Sequence, residues 1–253
     1  MAFYSLYFSP TGGTKKVADI LTAGWGEVAR LDLRTEEHNG AAFQSGDVCF
    51  VTIPVFEGRV PAPVTARLKT MMGNGAHAIL VAVYGARAVD DALLELRDIL
   101  TERGFRCAAG IAAVAEHSII RSYGAGRPDA ADEADLRGFS ETLRSLCREG
   151  KLPDDVSLPG NRPYVEMGGV PFHPSGSKKC VNCGACAKAC PVGAIAGPDY
   201  SKTDKARCIS CMACVSACPT GARDLPRPLV AVARMAMAKA FKGEHHNQLF
   251  LEG

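Results

Sequence analysis

The chain has 253 residues, 47% of them hydrophobic, and its 29 Lys and Arg against 27 Asp and Glu leave a formal net charge of +2. That balance excludes the strongly basic surface of a nucleic-acid binder, and the apolar share is ample for a real core. No stretch reaches the ~18 consecutive apolar residues of a membrane span, and the N-terminus lacks the basic region, apolar core and cleavage site of an export signal, so a cytoplasmic location is expected.

In chain order, apolar stretches of strand length occur at 2–8, 27–32, 47–54, 77–84 and 105–114. Helical patterning at 14–23, 63–72, 90–103 and 130–149 separates them. Strands that are apolar nearly throughout and alternate with helices imply a parallel sheet covered on both faces, with ligands bound beyond the carboxyl ends of the strands. The spacing therefore predicts a doubly wound α/β domain over residues 1–150.

The loop after the first strand, Ser9-Pro10-Thr11-Gly12-Gly13-Thr14, runs into a helix and offers three hydroxyls and two glycines. Such a loop converges amide N–H groups on an anion, and the helix N-terminus adds favourable partial charge. It lacks the Gly-Lys-Ser/Thr ending of a nucleoside-triphosphate loop. Gly24-x-Gly26-x-x-Ala29 fits the dinucleotide fingerprint by letter but precedes a strand, so it fails.

The run Leu6-Tyr7-Phe8-Ser9-x-x-Gly12-x-Thr14-x-x-x-Ala18-x-x-Leu21 resembles the phosphate loop of flavodoxins. The resemblance implies an FMN phosphate held by Ser9, Thr11, Gly12, Gly13 and Thr14, and strand order 2-1-3-4-5. It also implies that the loop after the third strand flanks the isoalloxazine. Phe56 would stack on or edge the ring, Gly58 could turn its peptide toward the flavin, and Glu57 would oppose a flavin anion. After the fourth strand, Tyr84 offers a second ring, Gly85 a flexible link, and Arg87 a cation for the flavin or a surface salt bridge. The loops 116–118 and 126–129 look similar to those of flavodoxin-ferredoxin fusion proteins, with His117 a proton donor to flavin or a structural residue.

Residues 151–176 include a stretch dense in proline and polar residues and read as a linker, stiff enough to define the spacing between two domains. Beyond it, eight of the eleven cysteines form two copies of one pattern, Cys180, Cys183, Cys186, Cys190-Pro191 and Cys208, Cys211, Cys214, Cys218-Pro219, displaced by 28 residues. The spacing is that of thiolates on 4Fe-4S clusters, in which three cysteines wrap one cubane and the fourth reaches across to the other. One cluster would take Cys180, Cys183, Cys186 and Cys218, and its partner Cys208, Cys211, Cys214 and Cys190. A structural zinc site would leave the third and fourth cysteine of each copy over. Disulfides would need an oxidising compartment, and Cys49, Cys107 and Cys147 are expected to be unpaired and buried.

Residues 177–226 hold seven basic and three acidic side chains, a net of +4, which two dianionic clusters roughly cancel. This stretch resembles the two-cluster bacterial ferredoxins. Nearly the whole chain is similar to the flavodoxin-ferredoxin fusion proteins of anaerobic bacteria. The resemblance implies a flavodoxin-like domain, then a small α+β two-cluster ferredoxin domain. The remainder, 227–253, reads as a helix over 229–242 and a tail. Its apolar face would pack back on the body or lie on a membrane surface, and His245-His246 lack convergent partners for a metal.

Joined, these parts imply intracellular electron transfer among FMN, two 4Fe-4S clusters and a partner redox protein. The sequence leaves open an NAD(P)H- or quinone-linked oxidoreductase, a ferredoxin with a flavin-free docking domain (Pro10 has no N–H to donate), and a homo-oligomer.

Overall fold

The computed structural model describes residues 1–251. Five parallel strands, β1 (Phe3–Tyr7), β2 (Val28–Asp32), β3 (Val48–Pro54), β4 (His77–Tyr84) and β5 (Arg106–Val114), run in the order β2-β1-β3-β4-β5. Alternate side chains face opposite layers, as the two-residue period of a strand requires. In β4, Ala78, Leu80 and Ala82 join one core while Ile79, Val81 and Val83 join the other. A register shift opposite Ala78 and Ile79 skips Ala108 and reverses the phase of β5, so Cys107 faces the first layer and Ala109 the second.

Helices α1 (Gly13–Thr22) and α4 (Ala130–Arg148) cover one face, where Val17, Leu21, Leu136 and Leu143 are fully buried. Helices α2 (Ala62–Leu68) and α3 (Ala92–Glu102) cover the other through Val64, Leu68, Leu93 and Leu96. Helix α4 begins in a capping box, the Asp129 carboxylate accepting from the Ala131 and Asp132 amides and Asp132 accepting from the Asp129 amide. Helix α2 stops at Leu68, short of the patterned stretch that runs to Met72, because Met72 leaves the helix to bridge to Ala42.

Residues 151–176 do more than space two domains. They form a strap along α3: Val156 is fully buried, Asp91 accepts from the Asn161 (2.8 Å) and Val165 (2.6 Å) amides, and Arg162 pairs with Asp98 at 2.5 Å. Arg59 is clamped by both Glu95 oxygens and lies 4.7 Å from the centroid of the Tyr164 ring. Burial alone would raise the Asp91 carboxyl, but the two strap amides and Arg59 outweigh it and hold the group below its ordinary value.

The cysteine-rich part is small: α5 (Ala185–Ala189), α6 (Ala213–Ser216), and a two-stranded ladder of β6 (Ser175–Gly176) with β7 (Arg223–Asp224). The chain then forms α7 (Arg227–Met237) and returns to the first domain, where β8 (Gln248–Phe250) pairs antiparallel with β5 and adds a sixth strand to the sheet. Asn247 fixes this return, accepting from the Val114 amide at 3.0 Å and donating to Asp132 at 2.8 Å. The apolar residues of α7 surround the helix instead of forming one stripe, so it packs back only in part: Val230, Ala233 and Met237 face the body. Val232 and Met235 are 65% and 76% exposed.

Candidate functional site: a crevice bordered by two cysteine sets

The 28-residue repeat is written into the backbone. Asn182 and Gly184 in one copy, and Ser210 and Met212 in the other, all take left-handed φ, and Gly193 and Gly221 share φ 61. Each copy therefore curls identically ahead of α5 or α6, which lets successive amides and cysteines turn inward. Cys180, Cys183, Cys186 and Cys218 line one hollow together with Gly184, Ala185 and Ala222.

The other four cysteines stand near one another. Burial pushes the Cys211 thiol up to about 12, the Ala213 amide draws it back, and the neighbouring Cys214, Cys190 and Cys208 sulfurs raise it further. The Ala194 amide donates to Cys190 Sγ at 3.2 Å, the kind of contact that stabilises charge on a ligated sulfur. Among the described residues no three Cys, His, Asp or Glu side chains converge on a single-ion site. The thiolates of a cubane each take a different iron and stand apart for that reason. Cys183 is exposed, whereas Cys211 and Cys214 are buried. Cys49, Cys107 and Cys147 are unpaired and buried in β3, β5 and α4.

The second feature lies at the carboxyl ends of β1, β3, β4 and β5. A narrow crevice of about 60 Å³ is lined by Pro10, Thr11, Gly13 and Thr14, by Phe56, Tyr84 and Gly85, and by Cys211. It adjoins a cavity of about 340 Å³, with which it shares Phe56, Tyr84, Gly85 and His117. That cavity adds Gly58 and Arg87 from the sheet loops, Val170 and Phe172 from the strap, Ile209 from the cysteine segment, and Met237 and Phe241 from the C-terminal part.

Gly12 takes φ +97 at the N-cap of α1 and has no side chain to cap it, so the Gly13 and Thr14 amides stay available to an anion while that of Lys15 is taken by Ser9. Ser9 is buried and its hydroxyl accepts from the Lys15 amide, which shapes the loop from within; Gly12 faces away from the crevice, toward Lys15 and Lys16. The nearby cations are already engaged, Lys15 with Asp19 and Lys16 with Glu133.

In the next loop Phe56 and Arg59 exchange backbone hydrogen bonds around Glu57 and Gly58, both at positive φ, the pattern of a type I′ turn. Gly58 faces Asp90, whose carboxylate holds Arg87 in an ion pair, so Arg87 lines the cavity as a paired group. Gly85 presses on His117: a Cβ there would meet the His117 Cα at 2.8 Å. His117 Nδ1 accepts from the Ile119 (3.1 Å) and Ile120 (3.0 Å) amides, leaving Nε2 to carry the proton of the neutral ring. Burial, then the Arg87 charge, lower its pKa to about 4. His117 thus holds its own loop, and its ring stands edge-on to Phe241 at 5.3 Å.

The sequence brought forward both halves of the crevice wall but not its roof. Phe172, Ile209, Met237 and Phe241 lie far apart in the chain and carry no local signal beyond being apolar. Phe241 stacks on Tyr123 at 4.0 Å, and the Tyr84 hydroxyl donates to the His246 carbonyl, so the roof is tied to the floor.

Residues 179–222 match the 4Fe-4S dicluster domain family. The chain joins a flavodoxin-like domain to a ferredoxin-type domain. The fold of the first follows from the strand order itself. Solved structures similar to this part include a Streptococcus pneumoniae TIGR4 flavodoxin, 17% identical over 57% of this chain and 99% of that one, with a TM-score of 0.42. Bacillus cereus flavodoxin 2 is 15% identical over 57% and 99%, with a TM-score of 0.42. A Fusobacterium nucleatum flavodoxin bound to flavin mononucleotide is 11% identical over 57% and 98%, with a TM-score of 0.38. Among curated proteins, none matches the sequence. Together the dicluster domain and the doubly wound fold make this an electron-transfer redox protein, and no described helix is long and apolar enough to cross a membrane.

Proposed function

We propose that this protein passes single electrons between an FMN held at the crevice, two 4Fe-4S clusters and a partner oxidoreductase. One observation carries the reading: Cys211, a cluster ligand in this assignment, lines the same crevice as Thr11, Thr14, Tyr84 and Gly85. The two cofactor sites therefore share a wall.

The residues fit the flavin. The Gly13 and Thr14 amides at the N-terminus of α1 with the Thr11 and Thr14 hydroxyls suit a phosphate, and a cavity of about 340 Å³ walled by Phe56, Tyr84, Phe172 and Phe241 is of ligand size. A flavin supplies the exchange between two-electron and one-electron chemistry. The eight cysteines would hold the clusters, with Cys190, Cys208, Cys211 and Cys214 as the inner set at the crevice. Cys180, Cys183, Cys186 and Cys218 form the outer set, where Cys183 meets solvent. Lys178, Lys179 and Lys188, all exposed, would border the face offered to a partner.

The roof favours a carrier over a hydride-accepting enzyme. The strap, the cysteine segment and Phe241 line the cavity opposite the sheet loops, which leaves less open surface for a second dinucleotide. Anaerobic purification with cofactors counted per chain tests the reading. About eight iron, eight sulfide and one FMN are expected. Reconstitution that takes up clusters but no FMN from an excess would leave the first domain a docking module. Rapid bleaching by NADH or NADPH alone would replace the carrier with an oxidoreductase.

A further inference from the structure

Arg223, the first residue of β7, is 3% exposed and pairs with no carboxylate among the described residues. Its Nη atoms donate to the carbonyls of Pro174 (3.3 Å), Tyr200 (3.2 Å), Ser201 (3.4 Å) and Lys202 (2.7 Å) and to the Thr203 hydroxyl. Its Nε is buried without a partner. Carbonyl dipoles satisfy donors but do not cancel a full charge, and a buried guanidinium with no counter-charge is expensive. The three acids of the segment are engaged elsewhere, Asp199 with Lys202, Asp204 with the Ala206 amide and Asp224 with the Leu225 amide.

One of those carbonyl acceptors is shared with sulfur: the Tyr200 carbonyl that takes an Nη of Arg223 also takes the Cys186 Sγ at 3.7 Å. Arg223 lines the hollow of Cys180, Cys183, Cys186 and Cys218.

We propose that Arg223 is the internal counter-charge of the iron–sulfur centre and a positioning residue that sets its reduction potential. The inference rests on the cluster reading above. When a cluster takes up one electron from its redox partner, its negative charge grows by one unit. A fixed cation beside it stabilises the reduced form more than the oxidised form, so it raises the potential.

The test is a redox titration of reconstituted full-length protein, read by low-temperature paramagnetic resonance of each cluster, for wild type, Arg223→Gln and Arg223→Lys. At a fixed potential, Arg223→Gln is expected to lower the ratio of reduced to oxidised cluster at least tenfold, a shift of about 59 mV for one electron. Arg223→Lys, which keeps the charge but not the fork of donors, should stay within about twofold of wild type. If Arg223→Gln fails to assemble clusters while Arg223→Lys assembles them at the wild-type potential, the charge requirement stands. Equal shifts or equal failures in both variants would assign Arg223 to packing alone and overturn the proposal, as would wild-type potentials in both. Wild-type protein that takes up no cluster at all would instead sink the cluster reading on which this rests.

Discussion

At the scale of single residues, Gly85 and His117 show how the crevice is held. The Cβ of Gly85→Ala would meet backbone, which cannot swing aside, so the variant is expected to lose about 2 kcal/mol in urea denaturation and to bind FMN more weakly. His117 is depressed to about 4 when folded, below the ordinary value of about 6.5. Between those values the unfolded chain binds a proton that the folded chain refuses, so stability falls as pH drops through this window, by up to about 3 kcal/mol. Comparing urea midpoints at pH 7.5 and 5.5 checks this. His117→Asn, whose amide oxygen can still accept from Ile119 and Ile120, should flatten that part of the slope.

The same residues mark what a sequence discloses. The loop from Ser9 to Thr14 announced itself because glycine and hydroxyls cluster where a strand feeds a helix, and all five parallel strands fall where apolar period and glycine punctuation place them. The role of His117 was not legible: only the Ile119 and Ile120 amides reveal that Nδ1 is occupied. Arg87 likewise has two roles open to it in the sequence, and the ion pair with Asp90 beside the cavity is not legible there.

Among elements, the strap and β8 do what no local pattern could foretell. A three-residue strand such as Gln248–Phe250 carries too short a signal for period or propensity, and it exists because β5 presents an open edge. Asp91 illustrates the strap, since its carboxylate takes two backbone amides that a linker reading leaves unaccounted for. Asp91→Ala should cost about 3 kcal/mol and release residues 161–165 to fast amide exchange. Because that carboxyl is depressed in the fold, its contribution is complete above the ordinary carboxylate range and is lost as pH falls through the lower folded value. Asn247→Ala should accelerate exchange at Gly110 to Ala112, where β8 covers β5, and cost about 2 kcal/mol through the stranded Val114 amide.

Over the whole molecule, the arrangement predicts unequal roles for the two cysteine sets. On the proposed ligand assignment, Cys183→Ser should remove the signal of the outer cluster while leaving the remaining cluster in magnetic contact with an FMN at the crevice, and should slow delivery to an external acceptor by at least tenfold. Cys211→Ser should break the contact between flavin and clusters and leave the outer signal intact. Paramagnetic resonance of the two variants distinguishes these outcomes. The division was half visible in the sequence, where the cysteine spacing marks eight thiols as candidate ligands but says nothing of which set lies against the crevice; that needs Cys211 to meet Thr11 and Tyr84 in space.

The return of β8 gives the cysteine-rich module two moorings on the first domain, one through the chain itself at the strap and one through the hydrogen bonds that pair β8 with β5. A module held at both ends cannot swing like a tethered shuttle. It also imposes an order of assembly: during synthesis the sheet stays one strand short until every cluster cysteine has been made, so the first domain closes only after the second has emerged.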